Sequence, residues 1–319
     1  MNEFELIRRY FSRASSRPDV VLGVGDDAAI CSVPEHRELV LTTDLLVSGT
    51  HFLESATPES IGHKALAVNL SDLAAMAARP AWFTMALSMP AVDEDWLDKF
   101  SSGLYTLAQA SDIALVGGDT VKGPLSIGIH ACGLVPTGCA VLRSGAKPGD
   151  SIYITGSLGD AALGLRYETG AVDYGLEANQ FFSDRLDRPI PRNDVGISLS
   201  GIATSMIDIS DGLISDLGHV LDLSHVGAEI WLESIPLSGF YRERLPDVGW
   251  GAALSGGDDY ELCFTIAAGQ QERLEAASKV WKCGVTCIGE ITEQQGLRIL
   301  DRHGQQVETG ISGYDHFPG

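Results

Sequence analysis

The sequence repeatedly places aspartate at the end of an apolar segment, and this pattern limits its fold and chemistry more than any other feature. The segments are Gly25–Asp27, Thr42–Asp44, Gly117–Asp119 and Asp208–Gly212, with Asp72 between the second and the third. Chains turn over the edge of a sheet at such points, where side chains from distant segments can meet. Carboxylates about 4 Å apart repel by roughly 4 kcal/mol at an effective dielectric of about 20, so a converging set requires cations. Magnesium prefers oxygen ligands and phosphates, and the pattern therefore predicts a magnesium and phosphate site.

Each aspartate taken alone also has an ordinary structural interpretation, since this residue is common in turns and at helix N-caps. Asp26 is the better candidate for a turn or capping role. Neighbours in an extended segment point to opposite sides, so we do not expect Asp26 and Asp27 to face the same ion. Asp72 lies on a helix predicted from Thr57 to about Arg79, and a solvated helix face is its alternative.

Two predicted strands carry candidate ligands. Leu39–Asp44 alternates with a period of two, and we expect the hydroxyls of Thr42 and Thr43 to arrive together with the Asp44 carboxylate. A second strand is predicted to end at Val116, before Gly117 and Gly118. There the glycines would allow a phosphate or metal to approach the backbone, and Asp119 would supply a ligand.

Composition and charge exclude several classes of protein. The chain has 319 residues, of which 45% are hydrophobic, which fits two globular domains better than one oversized core. A formal net charge of -21 argues against a general nucleic-acid or membrane-surface binder. The N-terminus lacks the features of a signal peptide, and a cytoplasmic protein is expected. The six cysteines lack paired zinc spacing, which predicts free thiols.

Strands and helices alternate in the first half, which predicts a mixed α/β layout. A boundary is expected around Pro136–Asp150, giving domains at residues 1–137 and 138–319. Arg143 and Lys147 lie in this junction. Both are candidates for phosphate contact, and the alternative is that they are ordinary solvated charges of a linker. This alternative is weaker for Arg143, because its planar guanidinium group suits phosphate oxygens.

Several motifs in this order resemble the thiamine-monophosphate kinase family, in the superfamily of aminoimidazole ribonucleotide synthetase and selenophosphate synthetase. The motifs are Gly-Asp-Asp, Thr-Thr-Asp with a following Gly-Thr-His-Phe, Ala-Val-Asn-Leu-Ser-Asp-Leu-Ala-Ala-Met, Gly-Gly-Asp-Thr and Ile-Asp-Ile-Ser-Asp-Gly-Leu. The likeness extends from Phe4 to Gly313–Phe317, practically the whole chain.

This resemblance implies a two-domain fold like that of aminoimidazole ribonucleotide synthetase. The N-terminal α/β domain would hold a mixed sheet that pairs across a homodimer, and a C-terminal α+β domain would complete an ATP and substrate cleft. The implied reaction is ATP-dependent phosphorylation of thiamine monophosphate to thiamine diphosphate, by direct in-line transfer with several Mg²⁺ ions. The acceptor phosphate is already ionised near neutral pH, so the transfer requires no general base.

Site residues follow from the resemblance position by position. The implied magnesium shell is Asp27, Thr42, Thr43, Asp44, Asp72, Asp119, Asp208 and Asp211, with Asp44 and Asp72 central to catalysis. The implied ATP contacts are Tyr105, Gly118, Asp119, Arg143 and Ser210. The implied substrate contacts are His51, Asp258 and an aromatic of the C-terminal tail, Tyr314 or Phe317. The family often has Glu at the position of Asp258, and a hydrogen-bonded structural histidine is the alternative for His51.

Two other functions are compatible with part of the pattern. A synthetase of the same superfamily would use ATP to activate an amide or another oxygen nucleophile. A calcium-loaded binding module without turnover is a third possibility, but its Asp-x-Asp/Asn-x-Asp/Asn-Gly loop with a late Glu is absent from the sequence.

Overall fold

A computed structural model of the chain describes residues 2–13, 15 and 17–307. The chain divides into two compact units. The first unit contains the residues up to Leu73 together with Ala78–Ala140, and the second contains Ala74–Ala77 and the residues from Val141 onward. Across the described ranges, no helix combines the length and apolar character needed to cross a membrane.

The first unit contains a mixed four-stranded sheet in the order β3-β6-β4-β5. Its strands are β3 (Arg37–Val47), β4 (Arg79–Met89), β5 (Ala114–Lys122) and β6 (Ser126–Pro136). β6 pairs antiparallel with β3 and β4, and β5 runs parallel to β4. A separate antiparallel hairpin joins β1 (Val20–Leu22) to β2 (Ile30–Cys31). β3 is therefore an edge strand.

Three helices accompany this sheet: α1 (Glu3–Leu6), α2 (Pro58–Ala75) and α3 (Glu94–Ala110). A π-helical turn at Ile7–Phe11 follows α1 directly. The Thr57 hydroxyl accepts the Ser60 N–H at the start of α2, and the Asp93 side chain accepts the Trp96 N–H at the start of α3. These bonds satisfy amides that have no partner within their helix, which explains why the helices begin there.

The strand predicted to end at Val116 in fact continues through both glycines and Asp119. A shift in register at Phe83/Thr84 of β4 accommodates this continuation. A Cβ on Gly118 would lie 2.0 Å from the carbonyl oxygen of Met85. The glycine is thus required by the close approach of two neighbouring strands, a reason other than the approach of a phosphate.

The second unit contains a six-stranded sheet in the order β12-β9-β11-β7-β10-β8. Its strands are β7 (Ser151–Thr155), β8 (Ala203–Asp208), β9 (Gly227–Trp231), β10 (Leu262–Ile266), β11 (Val285–Thr292) and β12 (Gly296–Leu300). All pairs are antiparallel except β9 with β12. The helices are α4 (Asp160–Glu168), α5 (Leu176–Asp187), α6 (Asn193–Leu199), α7 (Leu213–Ser224), α8 (Gly239–Val248), α9 (Gly251–Ser255) and α10 (Gln271–Ser278).

Apolar side chains cover both faces of the central strands in this sheet. Ile152 and Ile154 of β7 belong to one core cluster, whereas Tyr153 between them packs against another. All five residues of β10 are buried for the same reason. Strands covered on both sides read as continuous apolar runs, and this is the pattern of Leu262–Ile266.

Candidate active site

An acidic group in the first unit brings together three residues from two elements. β3 supplies Thr42 and Asp44 on one face, and α2 supplies Asp72. The Thr42 hydroxyl donates a short hydrogen bond to a carboxylate oxygen of Asp72. The structure thus joins residues 30 positions apart in the sequence, and Asp72 is not simply a residue of a solvated helix face.

The electrostatics of this group favour a bound cation. Burial, and then the charge of Asp72, raises the pKa of Asp44 to about 7. A pKa raised in this way means that two carboxylates repel each other in a poorly solvated place. The donors are carboxylate and hydroxyl oxygens, which are the ligands that Mg²⁺ prefers. The residues present therefore fit a magnesium ion.

Nowhere in the described part of the chain do three His, Cys, Asp or Glu side chains form a group that could hold a metal ion unaided. Magnesium is usually held by one or two carboxylates together with substrate phosphates and water. The pair formed by Asp44 and Asp72 matches that smaller requirement.

Thr43 does not join this group, and the expectation that both hydroxyls arrive together with Asp44 is wrong. Its hydroxyl lies 2.6 Å from Nδ1 of His130, its cross-strand partner on β6. Successive strand residues face opposite sides of the sheet, so Thr42 and Thr43 cannot present their hydroxyls to one place.

The Gly25–Asp27 and Gly117–Asp119 segments also lie in the first unit. Asp26 accepts the Asp27 N–H through its side chain, which is the turn role expected for it. Asp27 and Asp119 are both exposed, and the Asp119 side chain accepts the N–H of Thr120. Gly118 and Asp119 border a small cavity of about 30 Å³, which Phe11 and Met85 also line.

Tyr105 and His51 occupy other parts of the first unit. The Tyr105 hydroxyl donates to the Phe11 carbonyl at 3.0 Å, and the Arg13 guanidinium lies 3.8 Å from the ring centroid. Both line a cavity of about 290 Å³. Nδ1 of His51 accepts the Val47 N–H at 3.0 Å, so this ring carries its proton on Nε2. This hydrogen bond fixes the orientation of the ring, and the substrate contact of His51 stays a prediction.

The acidic turn Ile209–Gly212 of the second unit joins β8 to α7. Asp208 ends the strand and is buried, whereas Ser210 and Asp211 are partly buried. One carboxylate oxygen of Asp216 accepts the N–H groups of Ser210, Asp211 and Gly212 at 3.0, 3.0 and 3.1 Å. Sequence reasoning missed Asp216, although an aspartate in the first turn of a helix is a recognisable capping signal.

A second turn, Gly256–Glu261, contains Asp258. Asp258 and Tyr260 have φ of 67° and 50°, in the left-handed region that such residues rarely adopt. The Tyr260 hydroxyl donates to a carboxylate oxygen of Asp258 at 2.9 Å. The Asp258 N–H donates to the Ser210 carbonyl and the Tyr260 N–H to the Ile209 carbonyl. The two acidic turns of this unit are therefore hydrogen-bonded to each other.

Glu261 ends this turn in a buried ionic network that the sequence did not reveal. Its carboxylate accepts from Arg185 at 2.9 Å, from Nε and Nη2 of Arg192 at 2.7 and 2.5 Å, and from the Thr155 hydroxyl at 2.7 Å. Only 1% of the Glu261 side chain is exposed. The arginines are 76 and 69 residues distant in sequence, so no local pattern could predict the pairing.

Arg143 lies near the start of the second unit and is exposed. Tyr314 and Phe317, the two candidate aromatics for the substrate, lie outside the described residues. The cysteines, all described, are free thiols as expected.

Comparison with known proteins identifies the family. Residues 25–135 match the AIR synthase related protein, N-terminal domain, and residues 147–302 match the C-terminal domain of the same family. The thiamine-monophosphate kinase of Escherichia coli (strain K12) is 48% identical over 99% of this chain and 98% of its own length. This chain belongs to the thiamine-monophosphate kinase family.

Solved structures of this family have the same fold. Thiamine-monophosphate kinase from Stenotrophomonas maltophilia K279a is 44% identical, with a TM-score of 0.86 over 94% of this chain and 96% of that one. AaThiL complexed with AMPPCP and TMP is 31% identical, with a TM-score of 0.78 over 90% of this chain and 89% of that one. The predicted family and the predicted two-domain fold, with a mixed sheet and helices followed by an α+β domain, are confirmed.

Proposed function

We propose that this protein transfers the terminal phosphate of ATP to thiamine monophosphate, giving thiamine diphosphate and ADP. The observation that carries the proposal is the near-complete alignment with two thiamine-monophosphate kinases at 48% identity. A family member complexed with AMPPCP, an ATP analogue, and with TMP supports both substrates. The synthetase alternative has no comparable support among these relatives.

The acidic group of the first unit agrees with this chemistry. Transfer between two anionic phosphates is limited by charge repulsion more than by proton removal, because the acceptor oxygen is already ionised. Asp44 and Asp72 would hold magnesium, which when bound neutralises phosphate charge. The Thr42 hydroxyl fixes the Asp72 carboxylate through its hydrogen bond and so limits the orientations of this ligand.

Further contacts are part of the same proposal. Additional metal ligands would be Asp27, Asp119, Asp208 and Asp211. ATP contacts would be Tyr105, Gly118, Asp119, Arg143 and Ser210, and substrate contacts would be His51, Asp258, Tyr314 and Phe317. The Thr43 hydroxyl is not proposed as a metal ligand, because it bonds to His130. Thr43 could contact the metal only through its backbone, or act on the site through other residues.

A homodimer is also part of the proposal, and the outer face of β3 supports it. Leu39, Leu41 and Leu45 are 42%, 55% and 57% exposed, and they lie on one face of an edge strand. An alternating apolar face without cover is costly in water and is typical of a surface that binds a partner. A second copy of this chain would bury it.

Asp44→Asn tests the assignment of the reaction and its centre. Purified enzyme is incubated with ATP, Mg²⁺ and thiamine monophosphate, and thiamine diphosphate is separated by chromatography. We expect product with the wild type and none with Asp44→Asn, whose circular dichroism should match the wild type. Asp98→Asn removes an exposed carboxylate of α3 and should retain full activity. A near-normal rate of the Asp44 variant at saturating Mg²⁺ would refute its role.

Leu41→Glu tests the dimer, because a buried charge opposite its own copy is strongly unfavourable. Analytical ultracentrifugation should show a dimer for the wild type and a monomer for this variant. Leu223→Glu changes a residue that is also 55% exposed, but on α7, and should leave the mass unchanged. A monomeric wild type at micromolar concentration would contradict the proposal.

A further inference from the structure

Asp216 is placed to organise the turn that precedes α7. It is 3% exposed, and one of its carboxylate oxygens accepts three consecutive N–H groups, from Ser210, Asp211 and Gly212. Its own N–H donates to the Gly212 carbonyl. Three donors on one oxygen fix the backbone of the whole turn, because each bond removes a rotation that the turn would otherwise have.

This arrangement determines the charge of the ligand that the turn can accept. A loop entering a helix commonly binds phosphate with its free N–H groups, which point at the anion. Here those N–H groups are already occupied by a carboxylate of the protein. What the turn leaves partly exposed are the side chains of Ser210 and Asp211, one a hydroxyl and the other an acid. Such a turn suits a cation and disfavours direct binding of phosphate by the backbone.

The rest of the unit supports the turn from the other side. The Ile209 and Ser210 carbonyls accept N–H groups of Tyr260 and Asp258. A Cβ on Gly212 would lie 2.7 Å from the Ser255 backbone, and a Cβ on Gly257 would lie 2.4 Å from the Ser210 carbonyl oxygen. The turn is therefore packed tightly on one side and held by Asp216 on its amide groups.

We propose that Asp216 is a positioning residue, which occupies the amides of Ser210–Gly212 so that Asp211 is presented to the magnesium of a magnesium nucleotide. The proposal rests on the proposed function only in naming the nucleotide. Because Asp216 is 3% exposed and already bonded to the turn, it would touch neither metal nor nucleotide itself. Its effect is expected on magnesium-dependent nucleotide binding, and not on the affinity for thiamine monophosphate.

The test compares wild type with Asp216→Asn, which keeps the size of the side chain and removes its charge. The matched control is Asp222→Asn, an exposed aspartate on the same helix. Three measurements are made: amide hydrogen exchange of the peptide spanning the turn without metal or nucleotide, calorimetric binding of AMPPCP with and without Mg²⁺, and steady-state kinetics.

For Asp216→Asn we expect exchange at the three amides to be about tenfold faster and magnesium-dependent affinity for AMPPCP to be about tenfold lower. The KM for thiamine monophosphate should stay within about twofold of the wild type. Asp222→Asn should behave as the wild type in all three measurements.

Several results would overturn the inference. Unchanged AMPPCP binding by Asp216→Asn, with faster amide exchange, would show that the order of the turn does not affect the nucleotide. An equal loss of affinity with and without Mg²⁺ would indicate a general structural role. If Asp216→Asn fails to fold, amide hydrogen exchange of the wild type tests the inference instead. Fast exchange at the amides of Ser210–Gly212 in the free enzyme would contradict their hydrogen bonds to Asp216. If the wild type binds AMPPCP with Mg²⁺ but forms no thiamine diphosphate, the proposed function fails and the inference remains.

Discussion

Replacing Glu261 by Gln should destabilise the second unit far more than an ordinary loss of an ion pair. The carboxylate accepts four hydrogen bonds, three from guanidinium groups that are themselves only 14% and 11% exposed. The neutral amide keeps the volume but turns an NH₂ donor toward the donors of Arg185 or Arg192. Two poorly solvated positive charges then lack their counter-charge.

Breaking a buried ion pair by removing one partner costs about 3–5 kcal/mol, whereas an exposed pair contributes about 0–1 kcal/mol. For a unit of this size, 1 kcal/mol shifts the melting temperature by about 2–4 °C. We therefore expect the melting temperature to fall by roughly 6–20 °C, because the expected cost is about 3–5 kcal/mol.

The chain provides a matched control in Glu229, which accepts two bonds from Arg298 at 3.1 and 2.9 Å. That pair is 29% and 21% exposed, so water solvates the charge left behind by Glu229→Gln. Its cost should stay below about 1 kcal/mol. Urea and thermal unfolding followed by circular dichroism measure both variants. Equal destabilisation, within about 0.5 kcal/mol, would refute the argument that burial decides the cost.

Three further predictions concern the two units separately. Thr42→Val should lower kcat by about tenfold or more, because Asp72 loses a hydrogen-bond donor, whereas the kcat of Thr43→Val should stay within about threefold of the wild type. Equal effects of the two variants in steady-state assays would contradict the placement of Thr42 and Thr43 on opposite faces of β3. Gly118→Ala should cost more than about 3 kcal/mol in urea unfolding, because its Cβ would meet the Met85 carbonyl, and a cost below about 1 kcal/mol would show that the strands can separate. Burial raises the pKa of Asp259 well above its ordinary value, so the folded state holds an extra proton and the free energy of unfolding falls as pH rises above about 4. Asp259→Asn should lack this loss, and its stability relative to the wild type should increase between about pH 4 and pH 8; a constant difference would contradict it.

The sequence was sufficient for the elements whose signals are local. Thr57 followed by a proline predicted the start of α2, and the structure confirms it, because the Thr57 hydroxyl accepts the Ser60 N–H there. The end of β5 was misjudged because paired glycines normally interrupt a strand. Here they allow two strands to lie close together, a tertiary reason that no local pattern contains.

The sequence proposes the residues of the candidate site, and the structure bears on the geometry of only some of them. The pairing of Thr42 with Asp72 confirms that residues from separate motifs meet. Our expectation for Thr43 was wrong, although the period of two along a strand already places neighbouring residues on opposite faces. The network around Glu261 could not be predicted, because its partners come from distant helices. The left-handed backbone at Asp258 depends on bonds to another turn and was equally inaccessible.

One face of β3 carries Thr42 and Asp44 and the other carries Leu39, Leu41 and Leu45, and this makes the strand intolerant of changes in length. Removing or adding one residue before Thr42 would move every following side chain to the opposite side of the sheet. Thr42 and Asp44 would then leave the face beside α2, and the Asp44 carboxylate would join the apolar exterior. Substitutions along β3 can act on one face at a time, whereas an insertion or deletion would disturb the acidic group and the proposed dimer face together.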